Sequence, residues 1–277
     1  MIVIADSGST KCSWQLVENG TVRRLQSRGI NAVLQRPDEV EALLAETFAA
    51  PVQAEALHFY GAGCGERYPE QSARLQEVLA RYFPAARISV ESDLTGAARA
   101  LLGDRVGIAC ILGTGSNSCY YDGARIVRNT PPLGWILGDE GSGAYIGRRL
   151  VGSLLKGLYD EELCRLFLEE ERLTYDEIIR RVYREGMGNR FLASFTRFAA
   201  RHIDRPEIEE LVCEAFRAFV RRNLAHYPAD AEVSALGGVA FHFERQLRCV
   251  FEAEGRRVGR IAESPDEGLS NYHIWKK

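Results

Sequence analysis

The chain has 277 residues, of which 46% are hydrophobic and 26% are charged, and these are ordinary values for a globular protein of one large domain or two domains. Its 35 basic and 38 acidic residues give a net charge of -3, so no overall attraction to nucleic acid is indicated. No apolar run approaches the roughly 20 residues that a membrane helix needs, and the N-terminus has neither a basic region nor a cleavage site. We therefore expect a cytoplasmic protein with no nucleic-acid or membrane partner.

The cysteines and histidines are scattered along the chain. The seven cysteines lie far apart, mostly in apolar segments and without a C-x-x-C pair, which predicts reduced, buried thiols and not a metal site or disulfides. The five histidines also lack ligand spacing, so we expect structural roles for them. The residues concerned are Cys12, Cys64, Cys110, Cys119, Cys164, Cys213, Cys249, His58, His202, His226, His242 and His273.

The N-terminal segment predicts strands around a polar turn. The apolar run MIVIA leads through Asp6 into the turn, and two further strands are joined by the hairpin dipeptide Asn19-Gly20. Backbone N–H groups and hydroxyls in such a turn can donate to phosphate oxygens, and Lys11 either reaches a phosphate or is a solvated strand residue. The turn consists of Gly8, Ser9, Thr10 and Lys11.

Asp6 lies at the end of the first strand. A single carboxylate beside a glycine turn is suited to holding a hydrated Mg²⁺, because this ion keeps several waters and takes few carboxylates. The alternative is that Asp6 accepts hydrogen bonds from its own loop in an Asx-turn.

Strands and helices alternate over the following residues. A loop at Asn31 comes before a helix, one strand ends in glycines that include Gly63, and the next strand ends at Asp93. Because ligands gather at the carboxyl ends of strands in α/β folds, we expect these residues and Asp6 to converge. The alternative role for Asp93 is the N-cap of the following helix, LTGAARALLG.

A second copy of the N-terminal plan follows. The strand VGIACIL stops at another glycine-rich turn, and Asp122-Gly123 then joins two more strands. The repeated order of strand, turn, strand, hairpin and strand indicates an internal duplication. Considered alone, the turn could be an ordinary hairpin loop. Its candidate phosphate-binding residues are Gly113, Thr114, Gly115 and Ser116.

The segment GWILGDEGSG contains adjacent acids before a helix that is predicted to begin near Gly141. Asp139 could bind a ligand or cap this helix, and Glu140 could be the capping or supporting group instead. Residues from about 143 to 228 are almost wholly helical in period, with a capping box from Thr174 to Glu177. We interpret this region as a helical insertion that builds an outer layer and could offer a dimer surface.

The last part of the chain contains the strand AEVSAL and a diglycine that opens a helix. A diglycine at this place permits a planar or bulky ligand to approach the backbone. Near the C-terminus, Ser264, Pro265 and Glu267 are predicted as N-cap, first helical residue and capping-box acid. The whole pattern predicts an α/β fold with domains 1–98 and 99–277, in which a C-terminal helix, about 266–277, packs back on the first domain.

Five ordered motifs, DSGSTK, GTGSN, GWILGDEGSG, ALGGVAFHF and SPDEGLSNYH, together resemble the signature of the actin-like ATPase and sugar-kinase superfamily. More particularly, the chain resembles the N-acetylglucosamine kinases of the BadF/BadG/BcrA/BcrD ATPase group over essentially its whole length. The resemblance implies two actin-like, ribonuclease H-like ATPase domains with a cleft between them. It also implies ATP- and Mg²⁺-dependent phosphorylation of an N-acetylated amino sugar, most simply N-acetylglucosamine at O6. Family members are often dimers, so a homodimer is compatible with it.

The resemblance also implies a role for each motif. The turns 8–11 and 113–116 would clasp the β- and γ-phosphates of ATP from opposite domains, and Asp6 would help to position Mg²⁺. Asp93 would be the general base on the sugar hydroxyl, in a reaction that depends mainly on positioning and charge stabilisation. Adenosine would contact Gly237 and Gly238, and the sugar would contact Asn31, Gly63, Asp93 and Asp139.

One pair of positions departs from the family pattern. After the lysine of the first turn the family often has threonine and then a polar or acidic residue, whereas this chain has Cys12 and Ser13. The phosphate role of the turn backbone is unaffected, but a side-chain contribution from position 12 is weakened.

Two other functions fit the same superfamily. The first is an ATPase that activates a dehydratase or reductase and holds an iron–sulfur cluster through cysteines at a dimer interface. Cys110 and Cys119 are poorly placed for this, because they lie in the core strands that flank the second turn. The second is a non-enzymatic ATP-binding regulator, which the presence of Asp93 and Asp139 disfavours.

Overall fold

The computed structural model describes residues 1–8 and 10–275, with the side chain of residue 275 excepted. These residues form two compact units, of which the first is Met1–Gly103 with the segment that begins at Pro265, and the second is Asp104–Ser264. The boundary predicted between residues 98 and 99 would fall inside a helix that ends at Leu102. The structure instead changes unit after this helix, and it groups the C-terminal segment with the first unit.

The first unit contains an antiparallel meander extended by two parallel strands. The strand order is β3-β2-β1-β4-β5, in which β1 pairs antiparallel with β2 and parallel with β4. The predicted hairpin is confirmed, since Asn19 and Gly20 have φ angles of 48° and 79°, both positive as a type I′ turn requires. The strands are β1 (Ile2–Ser7), β2 (Lys11–Glu18), β3 (Thr21–Arg28), β4 (Ala56–Gly61) and β5 (Arg87–Ser92).

Three helices pack on this sheet: α1 (Pro37–Thr47), α2 (Pro69–Tyr82) and α3 (Asp93–Leu102). Trp14 on β2 packs against Phe48 and Phe83, which end α1 and α2, with ring centroids 5.1 and 6.2 Å away. On α3, Gly96 permits close approach to β4, because a Cβ atom there would lie 2.8 Å from the Tyr60 ring. This packing holds the first turn of α3 at the carboxyl ends of the strands.

The sheet of the second unit repeats the same topology. The strand order is β8-β7-β6-β9-β10, with β6, β7 and β8 antiparallel and β9 and β10 parallel to β6 and to each other. The predicted internal duplication is therefore confirmed at the level of strand order and direction. The strands are β6 (Gly107–Leu112), β7 (Ser116–Tyr121), β8 (Ile126–Thr130), β9 (Val233–Leu236) and β10 (Val258–Ala262).

A long helical region connects β8 to β9, and two short helices connect β9 to β10. The region between β8 and β9 has an aromatic interior, in which Phe167 packs edge-on against Phe195 and Phe198 with ring centroids 5.0 and 5.1 Å apart. The predicted capping box is present, because Thr174 and Glu177 exchange side-chain-to-backbone hydrogen bonds. The helices are α4 (Gly134–Leu137), α5 (Gly143–Leu155), α6 (Glu161–Glu171), α7 (Tyr175–Tyr183), α8 (Gly188–Ser194), α9 (Thr196–Arg201), α10 (Pro206–Asn223), α11 (Gly238–His242) and α12 (Glu244–Ala253).

The C-terminal segment forms α13 (Asp266–Ser270) and a π-helical turn (Asn271–Trp275) within the first unit. Gly268 of α13 packs so tightly on α3 that a Cβ atom would clash with the Ala100 carbonyl oxygen. The predicted capping box at this helix is wrong. The N-cap is Pro265, one residue later than Ser264, and it makes no side-chain cap. Asp266, the first residue of α13, accepts a hydrogen bond from Ser13 of β2.

The cysteine prediction holds only in part. All seven thiols are free, but Cys249 is exposed, and Cys164 and Cys213 are only half-buried. Within residues 1–8 and 10–275, no helix is long and apolar enough to cross a membrane.

Candidate functional site

The first polar turn connects β1 to β2. Its backbone closes through a hydrogen bond from the Gly8 N–H to the Lys11 carbonyl at 3.1 Å, and the Gly29 N–H donates to the Thr10 carbonyl at 3.1 Å. Thr10 and Lys11 are exposed, and Lys11 acts on Asp6 through its charge. Ser9, the remaining predicted phosphate ligand of this turn, lies outside the described residues.

Buried Ser7 ties this turn to two neighbouring loops. Its hydroxyl donates to the Ile30 carbonyl at 2.9 Å and accepts the Ile30 N–H at 2.7 Å, and its carbonyl accepts the Ala62 N–H at 3.2 Å. These bonds place the loop that contains Asn31 and the glycine loop after β4 beside the end of β1. This role of Ser7 was not predicted from the sequence, although a serine next to Asp6 at a strand end is a visible signal.

Asn31 and Gly63, the predicted sugar ligands of the first unit, are in contact. A Cβ atom on Gly63, whose φ is +75°, would lie 2.8 Å from Asn31 Oδ1. That oxygen accepts the N–H groups of Val33 and Leu34 at 3.0 and 3.2 Å. The side-chain oxygen of Asn31 is therefore used to stabilise its own loop. The side-chain nitrogen, Nδ2, is the group that could donate to a ligand.

Asp93 lies where β5 passes into α3. The predicted alternative, in which Asp93 caps this helix, is wrong because Ser92 is the N-cap and accepts the Thr95 N–H at 3.1 Å. Asp93 is the first helical residue, and its Oδ1 accepts the N–H of Leu94 at 2.8 Å. Burial raises the pKa of the Asp93 carboxyl.

Three carboxylates of the first unit lie near one another. The pKa of Asp6 is raised to about 7, first by burial and then by the charges of Asp93 and Asp266, while Lys11 lowers it. Asp266 is fixed by a hydrogen bond of 3.1 Å that the Ser13 hydroxyl donates to its Oδ2. Because Ser13 pairs with Asp6 across β1 and β2, this bond brings the C-terminal segment to the Asp6 position.

Sequence patterns place Asp266 at the start of a helix and do not indicate its place beside Asp6. No local pattern indicates it, since Ser13 and Asp266 are 253 positions apart. Ser13, on the strand next to β1, is thus the residue that binds this acid.

The donor set around Asp6 fits a hydrated Mg²⁺. Among residues 1–8 and 10–275, no group of three His, Cys, Asp or Glu side chains is arranged to hold a metal ion directly. A Mg²⁺ at Asp6 would therefore take most of its ligands from water and phosphate oxygens, as this ion commonly does. The concentration of negative charge around Asp6 favours a cation at this place.

The second polar turn lies between β6 and β7. The Gly113 N–H donates to the Gly115 carbonyl at 2.9 Å, and the first amides of α5, those of Gly143 and Ala144, donate to the carbonyls of Gly113 and Thr114 at 2.8 and 3.0 Å. No atom within this part of the structure lies within 4 Å of a Cβ built on Gly113, so its outer side is open. The turn is rigidly braced and has room for a ligand.

Ser116 differs from the rest of this turn because its side chain is buried. Its hydroxyl has no hydrogen-bond partner among residues 1–8 and 10–275. Its N–H donates to Asp139 Oδ1 at a long 3.4 Å. The predicted contact of the Ser116 hydroxyl with phosphate would therefore require this side chain to turn outward.

Asp139 lies against the second turn and is 8% exposed. A Cβ atom on Gly115 would be 3.1 Å from its Oδ2. Its pKa is raised to about 6, mainly by burial and further by the charge of Glu140, while the hydrogen bond from Ser116 lowers it. The alternative in which Asp139 caps the next helix is wrong, since the N-cap is Ser142, three residues after Asp139.

The diglycine adjoins the same turn. Gly237 has φ +115° and packs so closely on β6 that a Cβ atom would clash with the Leu112 carbonyl oxygen. A Cβ atom on Gly238 would meet nothing within 4 Å in the described part of the chain. The space beside the Gly238 Cα is thus open, while the preceding Gly237 lies against Gly113, so a planar ligand could approach the backbone here.

The cysteines do not resemble cluster ligands. Cys110 on β6 and Cys119 on β7 are both fully buried, and burial raises the pKa of Cys119 to about 12. Thiols bind metal in the deprotonated form, which burial in apolar surroundings disfavours. The structure therefore gives no support to the iron–sulfur alternative.

Several known proteins are similar to this chain in sequence or in structure. No family model matches the chain. Two similar crystal structures are of proteins named putative N-acetylglucosamine kinases. The one from Porphyromonas gingivalis is 44% identical, covers 100% of this chain and 99% of its own, and has a TM-score of 0.94. The one from Chromobacterium violaceum is 22% identical, covers 96% of each chain with a TM-score of 0.72, and shows a shared fold.

A curated relative matches only part of the chain. The N-acetylmuramic acid/N-acetylglucosamine kinase of Clostridium acetobutylicum is 29% identical over 136 residues, which are 46% of this chain. The match spans 44% of that protein, less than half of its length.

Proposed function

Because the chain belongs to the same N-acetylglucosamine kinase-like family as the Porphyromonas gingivalis protein, we propose that it phosphorylates an N-acetylated amino sugar with ATP. The observation that carries the proposal is 44% identity over 100% of the chain. The proposed substrate is N-acetylglucosamine, and the proposed product is its 6-phosphate. On its motifs we also assign the chain to the BadF/BadG/BcrA/BcrD group.

Asp93 is the proposed general base. The bond from the Leu94 N–H orients the carboxyl through Oδ1, so that Oδ2 is the oxygen that meets the sugar hydroxyl. Burial raises the pKa of Asp93 and so makes its carboxylate a stronger base than an exposed aspartate. In the transfer step the hydroxyl oxygen bonds to the γ-phosphorus, the bond to the bridging oxygen of ADP breaks, and the hydroxyl proton passes to Asp93.

Backbone groups of each unit bind ATP in this proposal. The exposed Thr10 and Lys11 side chains of the first turn and the open side of the second turn are the proposed phosphate contacts, and Gly238 is the proposed adenosine contact. Bound Mg²⁺ would neutralise phosphate charge, and Asp6 would hold it through water. The proposed adenosine contacts are Gly237 and Gly238. The proposed phosphate contacts are Gly8, Ser9, Thr10, Lys11, Gly113, Thr114, Gly115 and Ser116.

Asn31, Gly63 and Asp139 are the proposed sugar ligands besides Asp93. The side-chain nitrogen of Asn31 can donate to a sugar oxygen. Gly63 has no side chain that would crowd Asn31 or block a sugar beside it. Asp139 touches the Gly115–Ser116 turn, so its carboxylate would act close to the transferred phosphate.

A substrate panel tests the proposal. The purified protein would be incubated with ATP, Mg²⁺ and, separately, N-acetylglucosamine, N-acetylmannosamine, N-acetylmuramic acid and glucosamine. Mass spectrometry would detect a sugar phosphate, and phosphorus–proton NMR couplings would identify the modified hydroxyl. We expect N-acetylglucosamine 6-phosphate, formed in equal amount with ADP. Failure to phosphorylate any of the N-acetylated sugars would refute the proposed function.

A further inference from the structure

Glu140, the acid next to Asp139, is a buried carboxylate with partners on the helical insertion. It is 6% exposed. Its Oε1 accepts from the Arg222 guanidinium at 3.1 Å, and its Oε2 accepts from the Asn223 side-chain amide at 3.2 Å. Both partners lie at the C-terminal end of α10. Because a buried carboxylate without partners is costly, these two bonds hold the Glu140 side chain in one position.

The α10 end is itself held by the sheet. Asn223 is 3% exposed, and its carbonyl accepts the Thr130 hydroxyl of β8 at 2.9 Å and the Ser118 hydroxyl of β7 at 3.5 Å. The nearby Tyr227 hydroxyl accepts the Thr130 N–H at 2.8 Å and donates to the Ser118 carbonyl at 2.9 Å. Asn223 is therefore held in place, because its backbone is hydrogen-bonded to two strands of the sheet.

The turn that carries Asp139 needs such an anchor. Asp139 has φ +53°, a left-handed conformation that costs a residue with a side chain about 1 kcal/mol or more. Backbone bonds hold the turn on both sides, from the Asp139 N–H to the Pro132 carbonyl at 2.9 Å and from the Ser142 N–H to the Asp139 carbonyl at 3.1 Å. Glu140 lies between them and supplies the connection to α10.

We propose that Glu140 is a positioning residue, which through Arg222 and Asn223 holds the Asp139 carboxylate against the Gly115–Ser116 turn. The inference rests on the proposed function, since it concerns the geometry of Asp139 during phosphoryl transfer. It gives the helical insertion a role beyond an outer layer: the C-terminal end of α10 keeps a site residue in register with the second turn. The charge of Glu140 also acts directly on Asp139.

The test compares Glu140→Gln and Glu140→Ala with Arg221→Ala. Arg221 is the neighbour of Arg222 on α10 and pairs with Glu254 at 2.8 Å, away from the Asp139 turn, so its loss controls for a damaged helix end. We expect kcat/KM for N-acetylglucosamine to fall on the order of 100-fold in Glu140→Ala, as misplacement of a site group by about 1 Å can cost that much. Glu140→Gln, which keeps an acceptor for Asn223, restores part of the loss. Arg221→Ala keeps wild-type activity.

A second readout separates positioning from a general loss of packing. In protein labelled with ¹³C at aspartate carboxyl carbons, the NMR titration of Asp139 is assigned by its absence in Asp139→Asn. Glu140→Gln removes a like charge, so the pKa of Asp139 falls below its wild-type value, and Arg221→Ala leaves it unchanged. This measurement does not require an active enzyme or a foldable alanine variant.

The outcomes are distinct. Reduced kcat/KM together with a lowered Asp139 pKa in Glu140→Gln supports the proposal. Wild-type kcat/KM in that variant overturns it, and so does reduced kcat/KM with an unchanged Asp139 pKa, which would indicate only loosened packing. A wild-type protein that phosphorylates no N-acetylated sugar refutes the proposed function, whereas an active wild type with an unaffected Glu140→Gln refutes this inference alone.

Discussion

Replacement of Asp93 by asparagine is the most direct test of the chemistry. Asparagine keeps the size of the side chain and an oxygen that can accept the Leu94 N–H, now bonded at 2.8 Å. Ser92 still caps α3. The substitution therefore removes the basic oxygen and a charge that raises the pKa of Asp6, and we expect the variant to fold normally.

The expected loss of turnover is large. A well-placed general base contributes about 10²–10⁴-fold, which corresponds to roughly 3–5 kcal/mol of transition-state stabilisation. We expect kcat of Asp93→Asn to fall by that factor, while the dissociation constant of ATP stays near the wild-type value. Isothermal titration calorimetry measures ATP binding, and a quenched assay with radiolabelled ATP measures slow formation of the sugar phosphate.

The pH dependence of the wild type belongs to the same prediction. Asp93 must be ionised to accept a proton, so kcat/KM should fall as the pH drops through its pKa. Since burial raises that pKa, this acid limb should lie above the ordinary range of an aspartate. The limb should be absent from the residual activity of Asp93→Asn.

The control for this prediction is Ser92→Ala. Loss of the N-cap weakens the start of α3 by about 1 kcal/mol but leaves the Asp93 carboxylate in place. If Ser92→Ala lowered turnover as much as Asp93→Asn, a disturbed helix start would explain both. Unchanged turnover in Asp93→Asn would refute the assignment of Asp93 as the base.

Two further predictions concern the second turn and the C-terminal segment. Gly237→Ala should destabilise the protein by about 1–3 kcal/mol or more, because φ is +115° and the new Cβ would clash with the Leu112 carbonyl, whereas Gly238→Ala should fold normally and weaken ATP binding. Urea unfolding and ATP titration would measure the two effects, and equal stability losses in both variants would contradict this reasoning. His273 stacks on His58 at 3.8 Å, and burial and then nearby positive charge lower its pKa to about 3. In the unfolded chain a histidine takes up a proton near pH 6.5, whereas His273 stays neutral in the folded protein. The contribution of neutral His273 to the free energy of unfolding is therefore present above pH 6.5 and is lost as the pH falls below it. His273→Phe should reduce the dependence of the urea midpoint on pH between 7.5 and 5, and an unaltered dependence would count against the stacked pair.

Local sequence patterns are sufficient to predict the duplicated order of strands and the positions of the polar turns. These features depend on local chemistry: Asn19-Gly20 supplies the positive φ angles of a tight hairpin, and alternating apolar runs bounded by glycine turns specify strands. The strand ends at Asp6 and Asp93 and the loop at Asn31 could also be placed together in advance. Parallel strands end at one edge of a sheet, and the register Ser7 to Gly61 and Gly61 to Ser92 shows that edge.

The residue that caps each helix and the acids that act on one another could not be predicted from local sequence. Ser92 and Ser142 cap α3 and α5, one and three positions from the acids that sequence patterns favoured, because backbone angles select the cap and both residue types can serve. Residues far apart in the chain come together at two places. Asp266 lies near Asp6, and Glu140 is hydrogen-bonded to the end of α10. Such contacts follow from the packing of whole elements, for which no short stretch of sequence carries the information.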